Sequence, residues 1–389
     1  MTVFLKFGLH YGLLFCVIGL MLPFWPLWLA DKGLGPAEIG LAIGITTWVK
    51  PVFNPFAGWV ADATGQLRRV MMLAAAGSAC GFLFLSQSSG LAMILLGCAL
   101  ASGCYFALLP LSETLAMRAD KAGVLAYGRV RLWGSLSFIA LSLIGGPLIG
   151  VWGPGFLPFA LAAIAAALVL TIGALPGRQA LSQGTEPDPK TKAKQQNDPS
   201  AGWSVLFRDR ALIRFLLALG AVHASHAVLN AFGSLHWRAA GLSEGFIGWL
   251  WAVGVIAEVV LFAASAKAMG RLGPYGLLWI GAIAGLIRWP ILALTTDPIV
   301  LSLVQTLHGL TYGATHLAAM AYLTGIGHSK TLPEDLTTRA QALYSSVSLG
   351  LCVGGAAMVA GPLYGSFSGA AFWAPAVLCG LALWLGKRP

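Results

Sequence analysis

The sequence has few charged residues, and acidic residues are the scarcest of them. Only 10% of its 389 residues are Asp, Glu, Lys or Arg, and 14 are acidic. A soluble domain carries about a quarter charged residues, which cover its surface. This shortage excludes a soluble globular fold, and the same composition excludes a disordered chain or a coiled coil.

Sequence motifs of several enzyme and metal-binding classes are also missing. There is no P-loop for ATP, no GxSxG nucleophile and no zincin helix. The cysteines all fall inside predicted helices without a closely spaced pair, so they predict neither a disulfide nor a zinc site; they are Cys16, Cys80, Cys98, Cys104, Cys352 and Cys379. These absences point away from an enzyme, and we expect no metal and no cofactor.

Long apolar segments dominate what is present, with 58% hydrophobic residues and a mean hydropathy of +0.80. A membrane-spanning helix needs about 20 apolar residues, and the short alternating strands of a membrane barrel are not seen. The sequence therefore predicts an all-α integral membrane protein with twelve transmembrane helices. Their expected spans are 4–30, 37–61, 70–86, 91–117, 125–150, 153–175, 211–237, 243–267, 274–295, 298–326, 338–362 and 367–386.

The distribution of positive charge predicts the orientation of the chain. Most of the 24 Lys and Arg residues fall on one side of the predicted helices, the side of both termini. Because cytoplasmic loops are enriched in Lys and Arg, we expect both termini in the cytoplasm and a plasma membrane of the bacterial inner-membrane type. The net charge of +10 is then explained by anionic lipid headgroups, and nucleic-acid binding is not expected.

A polar stretch at 176–210 divides the chain into two similar halves. We interpret it as a cytoplasmic linker between six-helix bundles at 1–175 and 211–389. Gly33-Leu34 and Ile39-Gly40 recur in the second half as Gly241-Leu242 and Ile247-Gly248. Two related halves around a binding site at the middle of the membrane are typical of secondary transporters.

Ionisable side chains at bilayer depth are costly and usually functional. Lys50, Glu258 and Arg288 are predicted to be deep, and Glu113 lies about one turn from a helix end. At helical spacing, other polar residues form stripes that predict a hydrated cavity; the stripes are Thr47, Lys50 and Asn54; His223, His226 and Asn230; Gln305, His308, Tyr312 and His316; and Gln341, Tyr344, Ser345 and Ser348. For His223, His226 and Tyr312, packing in the helix bundle remains an equal alternative.

The loop between the second and third predicted helices reads Gly58-Trp-Val-Ala-Asp62-Ala-Thr-Gly65, followed by Arg68-Arg69. It resembles the signature loop of the major facilitator superfamily, in which these residue types hold helix ends together. The resemblance implies a gating and structural role for Gly58, Asp62, Gly65, Arg68 and Arg69. We expect Asp62 to cap the start of the next helix or of a neighbouring one.

A second resemblance is more specific. Pro110-Leu-Ser-Glu113 and Tyr127-Gly-Arg129-Val-Arg131-Leu-Trp-Gly-Ser135 resemble the branch of that superfamily containing the proton-coupled galactoside permease and the phenylpropionate permease. The resemblance implies that Glu113 and Arg131 grip the substrate, with Phe138 at the position of the aromatic residue that stacks on the sugar. Lys50, Asn54, Ser135, His223, Asn230 and Tyr344 complete the expected substrate-binding set.

The second half resembles the coupling region of the same branch. Glu258, Arg288 and His308 match it in spacing, Thr311 stands where the galactoside permease has Glu, and His316 follows as in the phenylpropionate branch. We expect Glu258 to carry the proton, with Arg288, His308, Tyr312 and His316 assisting. An alternative for Glu113 is an ion pair that only closes the cytoplasmic helix end.

The sequence thus predicts a monomeric secondary active transporter in which the proton gradient drives symport of a small organic substrate by alternating access. Because Lys50 and Arg131 supply positive charge, an aromatic or other carboxylate is favoured over a sugar. The expected partners are the substrate, protons and the lipid bilayer. A sugar- or nucleoside-proton symporter and an uncoupled uniporter or exporter stay open, and a membrane-embedded enzyme or receptor is the remaining alternative.

Overall fold

The computed structural model describes residues 2–176, 199–325 and 334–387. Within these ranges the chain is helical and contains no strand, as expected. It divides into two compact units, one of Met1–Glu186 with Gly241–Ala252 and one of Pro187–Ala240 with Val253–Pro389. The start of the eighth predicted helix therefore groups with the first unit.

The helices up to residue 176 begin and end close to the predicted spans. Helix α1 packs against α6 and α7, and α4 packs against α5 and α7. The bounds are α1 Val3–Asp31, α2 Pro36–Trp48, α3 Lys50–Thr64, α4 Leu67–Gln87, α5 Leu91–Lys121, α6 Tyr127–Trp152 and α7 Leu157–Ala174.

The remaining helices are shorter and more often interrupted. Helix α12 packs against α14 and α17, and α10 packs against α16. The bounds are α8 Pro199–Arg208, α9 Arg210–Ala224, α10 Ala227–Ala239, α11 Glu244–Ala263, α12 Ser265–Leu294, α13 Pro298–Gln305, α14 Thr315–Leu323, α15 Glu334–Tyr344, α16 Val353–Phe367 and α17 Trp373–Leu385. Helix α8 lies inside the segment that the sequence marks as linker.

Nine stretches of the described chain are long and apolar enough to cross a membrane. Four of the twelve predicted segments account for the difference. The second segment is interrupted at Val49, before Pro51, which lacks the N–H that a helix interior uses. The tenth is interrupted after Gln305, and the last two are joined into one continuous stretch, Arg339–Leu385.

The seventh predicted helix is also interrupted, between α9 and α10. Here Ser225 Oγ donates to Val222 O at 2.6 Å, and His226 Nδ1 lies 3.1 Å from the same oxygen. Side chains that bond nearby carbonyls compete with the backbone ladder and bend helices. The two polar side chains thus satisfy a carbonyl at the break.

Two glycines allow close backbone contact between α6 and the start of α11 inside the first unit. A Cβ atom at Gly146 would lie 2.1 Å from Glu244 O, and one at Gly248 would lie 2.1 Å from Ser142 O. No larger residue fits without moving a helix. This contact is the physical reason why Gly241–Ala252 groups with the first unit.

Candidate functional site

Both cations of the expected substrate-binding set lie on aromatic rings. The Nζ atom of Lys50, in the first turn of α3, is 3.9 Å from the ring centroid of Phe106. The guanidinium of Arg131, near the start of α6, is 4.2 Å from the ring centroid of Phe15. A ring face attracts a cation and replaces part of its hydration, so these rings hold both cations without neutralising them.

Glu113 is the carboxylate of this cluster. Its Oε1 is 3.6 Å from Arg131 Nε, and its Oε2 accepts a hydrogen bond from the Tyr127 hydroxyl. The two charged side chains are partly exposed, 38% for Arg131 and 30% for Glu113. The structure therefore brings Glu113 and Arg131 together, and Tyr127 fixes the orientation of the carboxylate.

The other expected substrate residues of the first unit have different surroundings. Asn54 lies one turn beyond Lys50, and its buried Oδ1 has no hydrogen-bond partner among the residues described. Ser135 is half-buried one turn after Arg131. Phe138 is 4% exposed, and its backbone lies against Gly19 of α1, so its place is in a helix contact.

The loop between α3 and α4 joins helix ends mainly through Arg68. Its Nε donates to Ile172 O at 3.3 Å and its Nη2 donates to Gly173 O, both in the last turn of α7. Gly65 ends α3 with a left-handed φ of 66°, which suits glycine. Arg69 binds the exposed Gln66 side chain at 2.6 Å.

The expected capping role of Asp62 was wrong for the next helix. The N-cap residue of α4 is Gln66, and it makes no side-chain capping bond. Asp62 is exposed within the last turn of α3, three residues before Gly65, and Gly58 lies one turn earlier in the same helix. The carboxylate is therefore on the wrong helix end to accept from the first N–H groups of α4.

In the second unit, Arg288 is 1% exposed and bound by neutral groups. Its Nη1 donates to Thr311 Oγ1 at 2.9 Å, and its Nη2 donates to Gln305 Oε1 at 2.8 Å. Its guanidinium also lies 4.7 Å from the Trp289 ring, while Nε has no hydrogen-bond partner among the described residues. The positive charge is thus held by hydroxyl, amide and ring.

Arg288 also fixes the proton of His308. Nη1 of Arg288 is 3.3 Å from His308 Nδ1, and because a guanidinium only donates, that nitrogen accepts. The proton of neutral His308 is then on Nε2, which lies 3.8 Å from Glu258 Oε2. The geometry points this proton at Glu258, the carboxylate that the sequence predicts to be the proton carrier.

Thr311 connects Arg288 to His226. His226 Nδ1 faces the carbonyl oxygens of Val222 and His223 at 3.1 and 3.3 Å, so it carries the proton. Its Nε2, 3.0 Å from Thr311 Oγ1, then accepts the hydroxyl proton while the hydroxyl oxygen accepts from Arg288. With the proton on Nδ1 and Nε2 accepting, the His226 ring is in its neutral form.

The other expected site residues of the second unit are joined mainly by the Tyr344 hydroxyl and the Tyr312 ring. Tyr344 OH lies 3.0 Å from His223 Nε2 and 3.1 Å from His316 Nδ1. The Tyr312 ring stacks on the His308 ring, with 5.4 Å between the ring centroids, and contacts the His223 ring edge to face, with 5.2 Å between the centroids. Asn230 lies one turn after His226 and is half-buried.

Wide helical turns position these groups. A π-helical segment at Gly309–Ala314 holds Thr311 and Tyr312, and another at Ser345–Cys352 begins directly after Tyr344. π-Helical turns inside α-helices are frequent at functional sites. Here they change the direction of side chains that a regular 3.6-residue period would place on one stripe.

Several partners could not be found by sequence reasoning. Phe15 and Phe106 are two among 19 phenylalanines, and no spacing distinguishes them. A further buried histidine, His10, binds Ser112 Oγ at 2.9 Å and Thr171 Oγ1 at 3.4 Å, and it joins three helices of the first unit. Among the described ranges no three His, Cys, Asp or Glu side chains lie close enough to hold a metal ion.

The fold and these polar clusters define a multi-pass helical membrane protein of the carrier type. The model of the MFS_1 like family matches residues 4–374. The chain therefore belongs to this family, within the major facilitator superfamily, and it is a membrane transporter and not an enzyme.

Individual relatives agree with this membership. The chain is 32% identical over 385 residues, 98% of its length and 96% of the relative's, to the Probable 3-phenylpropionic acid transporter of Escherichia coli (strain K12). It is 29% identical over 354 residues to the maltose permease of Geobacillus stearothermophilus, covering 89% and 84% of the two chains. The crystal structure of the nucleoside transporter NupG has the same fold, with a TM-score of 0.82, 18% identity and coverage of 99% and 98%.

Proposed function

We propose that the chain takes up a small organic carboxylate together with a proton by alternating access. The observation that carries this proposal is the charge balance of the first unit. Lys50 and Arg131 lie on aromatic rings, and Glu113 is the one acidic side chain within 4.0 Å of either among the described residues. One carboxylate balances one cation, so the other remains for an anionic substrate.

An aromatic carboxylate suits this cluster best. A carboxylate would bind Lys50 or Arg131, and Phe15 and Phe106 offer apolar ring surface beside the same cations. The relative from Escherichia coli is named for 3-phenylpropionic acid, which combines a carboxylate with a phenyl ring. We therefore assign substrate contact to Lys50, Arg131 and Glu113, with Asn54 and Ser135 beside them.

Proton coupling is assigned to the second unit. Glu258 faces the proton-bearing Nε2 of His308 at 3.8 Å, and Arg288 holds His308 in that form. Such a pair can exchange a proton when the surroundings change, because a carboxylate's affinity for its proton depends on burial and on nearby positive charge. The proposed cycle draws on the proton gradient and on no cofactor. We place both termini in the cytoplasm and the monomer in a plasma membrane of the bacterial inner-membrane type.

The proposal is tested with purified protein in liposomes and 3-phenylpropionate as the probe. A proton gradient directed inward should drive uphill accumulation, and adding the probe should make the outside medium more alkaline. Glu258→Gln should lose accumulation and keep counterflow, the exchange of external for internal probe without net proton movement. Glu38→Gln is a matched control, because within the described ranges Glu38 accepts only from Gly35 N, at the start of α2.

Other outcomes favour different functions. Accumulation of maltose in preference to the carboxylate would support a sugar symporter, which the maltose permease relative makes the second candidate. Flux of the carboxylate that ignores the proton gradient, or normal accumulation by Glu258→Gln, would contradict the proposed coupling.

A further inference from the structure

The hydroxyl of Tyr344 lies between two histidines in the interior of the second unit. It is 3.0 Å from His223 Nε2 and 3.1 Å from His316 Nδ1. Tyr344 and His223 are each 2% exposed, whereas His316 is half-buried. Tyr344 ends α15, His223 lies in the last turn of α9 and His316 lies in the first turn of α14. Only the tertiary structure brings these three residues together.

The number of protons decides what this arrangement can do. A phenol has one proton and donates it to one nitrogen, so the second nitrogen must carry a proton and donate to the phenol oxygen. Two arrangements therefore exist. In one, Tyr344 donates to His223 and accepts from His316, and in the other both hydrogen bonds are reversed.

We propose that His316, Tyr344 and His223 form a proton relay that connects a half-buried entry to a fully buried, transient acceptor. The proposal rests on the proton coupling proposed above. His316, donating from Nδ1, first takes up a proton on Nε2 from the aqueous side. The Nδ1–H bond of His316 then breaks as its proton binds the Tyr344 oxygen, while the Tyr344 O–H bond breaks as its proton binds His223 Nε2.

The balance of this step is one proton and one positive charge moved inward. His316 becomes neutral, Tyr344 stays a neutral phenol with its hydrogen bonds reversed, and His223 becomes the cation. No electron is transferred, and the proton comes from the gradient that drives transport. Proton transfer along such a chain requires donors and acceptors within hydrogen-bond distance, which both pairs satisfy.

His223 accepts the proton only transiently, because a buried imidazolium without a second hydrogen-bond partner is costly. Its Nδ1 is buried and has no hydrogen-bond partner in the described part of the chain. As long as the surroundings of Nδ1 stay the same, the transferred proton can leave His223 only by the way it came, through Tyr344. The Tyr312 ring lies 5.2 Å away, and the nearest histidine along the helix, His226, is neutral and bound to Thr311. These contacts assign His223 and Tyr344 to proton movement, in place of the substrate role expected from the sequence.

The chain contains a matched control for this arrangement. Tyr364 OH lies 3.2 Å from His236 Nδ1, in the same unit, and the described structure shows no second histidine at that hydroxyl. A phenol with one histidine cannot pass a proton onward. Tyr364→Phe removes a similar hydrogen bond without interrupting a relay.

The test compares Tyr344→Phe, His223→Gln and His316→Asn with Tyr364→Phe in liposomes, using 3-phenylpropionate. Gln can reproduce the hydrogen bond of Nε2 and Asn that of Nδ1, but an amide cannot take up and release the proton. We expect proton-driven accumulation to fall by about tenfold or more in the three relay variants. Counterflow should persist in all of them, and Tyr364→Phe should accumulate the probe normally.

The contrary results are distinct. Normal accumulation by Tyr344→Phe would overturn the relay, because the hydroxyl would then be dispensable. A parallel loss of counterflow in the two histidine variants, with normal folding by gel filtration, would assign the group to substrate binding and also overturn it. Wild-type protein without proton-driven accumulation would instead refute the proposed coupling itself, before any variant is compared.

Discussion

The hydroxyl of Thr311 lies between the guanidinium of Arg288 and the ring of His226, 2.9 Å from Arg288 Nη1 and 3.0 Å from His226 Nε2. The galactoside permease that this region resembles has an acid at the position of Thr311. A hydroxyl replaces its hydrogen bonds but not its negative charge. The positive charge of Arg288 is therefore not balanced at this position, and His308, 3.3 Å from Arg288 Nη1, is an ionisable neighbour.

Removing this hydroxyl should destabilise the second unit. Thr311→Val keeps the shape of the side chain but leaves Arg288 Nη1 and His226 Nε2 short of a partner in a buried site. We expect the free energy of unfolding to fall by about 1–3 kcal/mol, measured by thermal unfolding in detergent. Thr311→Ser, which keeps the hydroxyl, is the control, and equal stability of the two variants would contradict the network.

Lys50 should recognise the charge of the substrate. Lys50→Gln removes a charge-assisted hydrogen bond, which contributes about 1.5–3 kcal/mol, so the affinity for 3-phenylpropionate should fall by about 10- to 100-fold. The uncharged 3-phenylpropanamide should bind both proteins alike in calorimetric titrations. An equal loss of affinity for the acid and the amide would show that Lys50 supports the structure and does not recognise the charge of the substrate.

Arg68 should stabilise the end of α7. Arg68→Ala leaves two carbonyl groups, those of Ile172 and Gly173, without their donor and removes a positive charge from a helix C-terminus. We expect a loss of about 0.3–1 kcal/mol and faster hydrogen exchange in the last turn of α7. Arg69→Ala should show neither effect, because Arg69 binds only the exposed Gln66 in the part of the chain that the structure describes. Similar exchange in both variants would contradict the capping role.

The contact between α6 and α11 should tolerate no side chain at Gly146. Gly146→Ala would bring a Cβ atom to 2.1 Å from Glu244 O and force the start of α11 away. We expect lower thermal stability and slower transport. Gly150→Ala, one turn later on the same helix, meets only the Glu244 side chain at 3.7 Å and should behave as wild type. A stable, active Gly146→Ala protein would disprove the close contact.

The order of the helices follows from the sequence because long apolar runs can satisfy their backbone in a membrane only by forming helices. A single residue can interrupt a predicted helix, as Pro51 does beside Lys50 because proline lacks a backbone N–H. The pairing of Glu113 with Arg131 was predictable from the resemblance, and the structure confirms the contact at 3.6 Å. The position of Asp62 was not, because the spacing of a loop does not fix which helix end a side chain reaches.

The sequence by itself determined that this chain is an all-helical membrane protein, and it predicted which ionisable residues lie deep within the bilayer. The tertiary structure decided their partners: Phe106 for Lys50, Thr311 and Gln305 for Arg288, and Tyr344 for two histidines. Apolar periodicity is a local property of the chain, whereas hydrogen bonds depend on direction between residues far apart, as His223 and Tyr344 illustrate with a sequence separation of 121. Wide helical turns at Gly309–Ala314 and Ser345–Cys352 then set those directions.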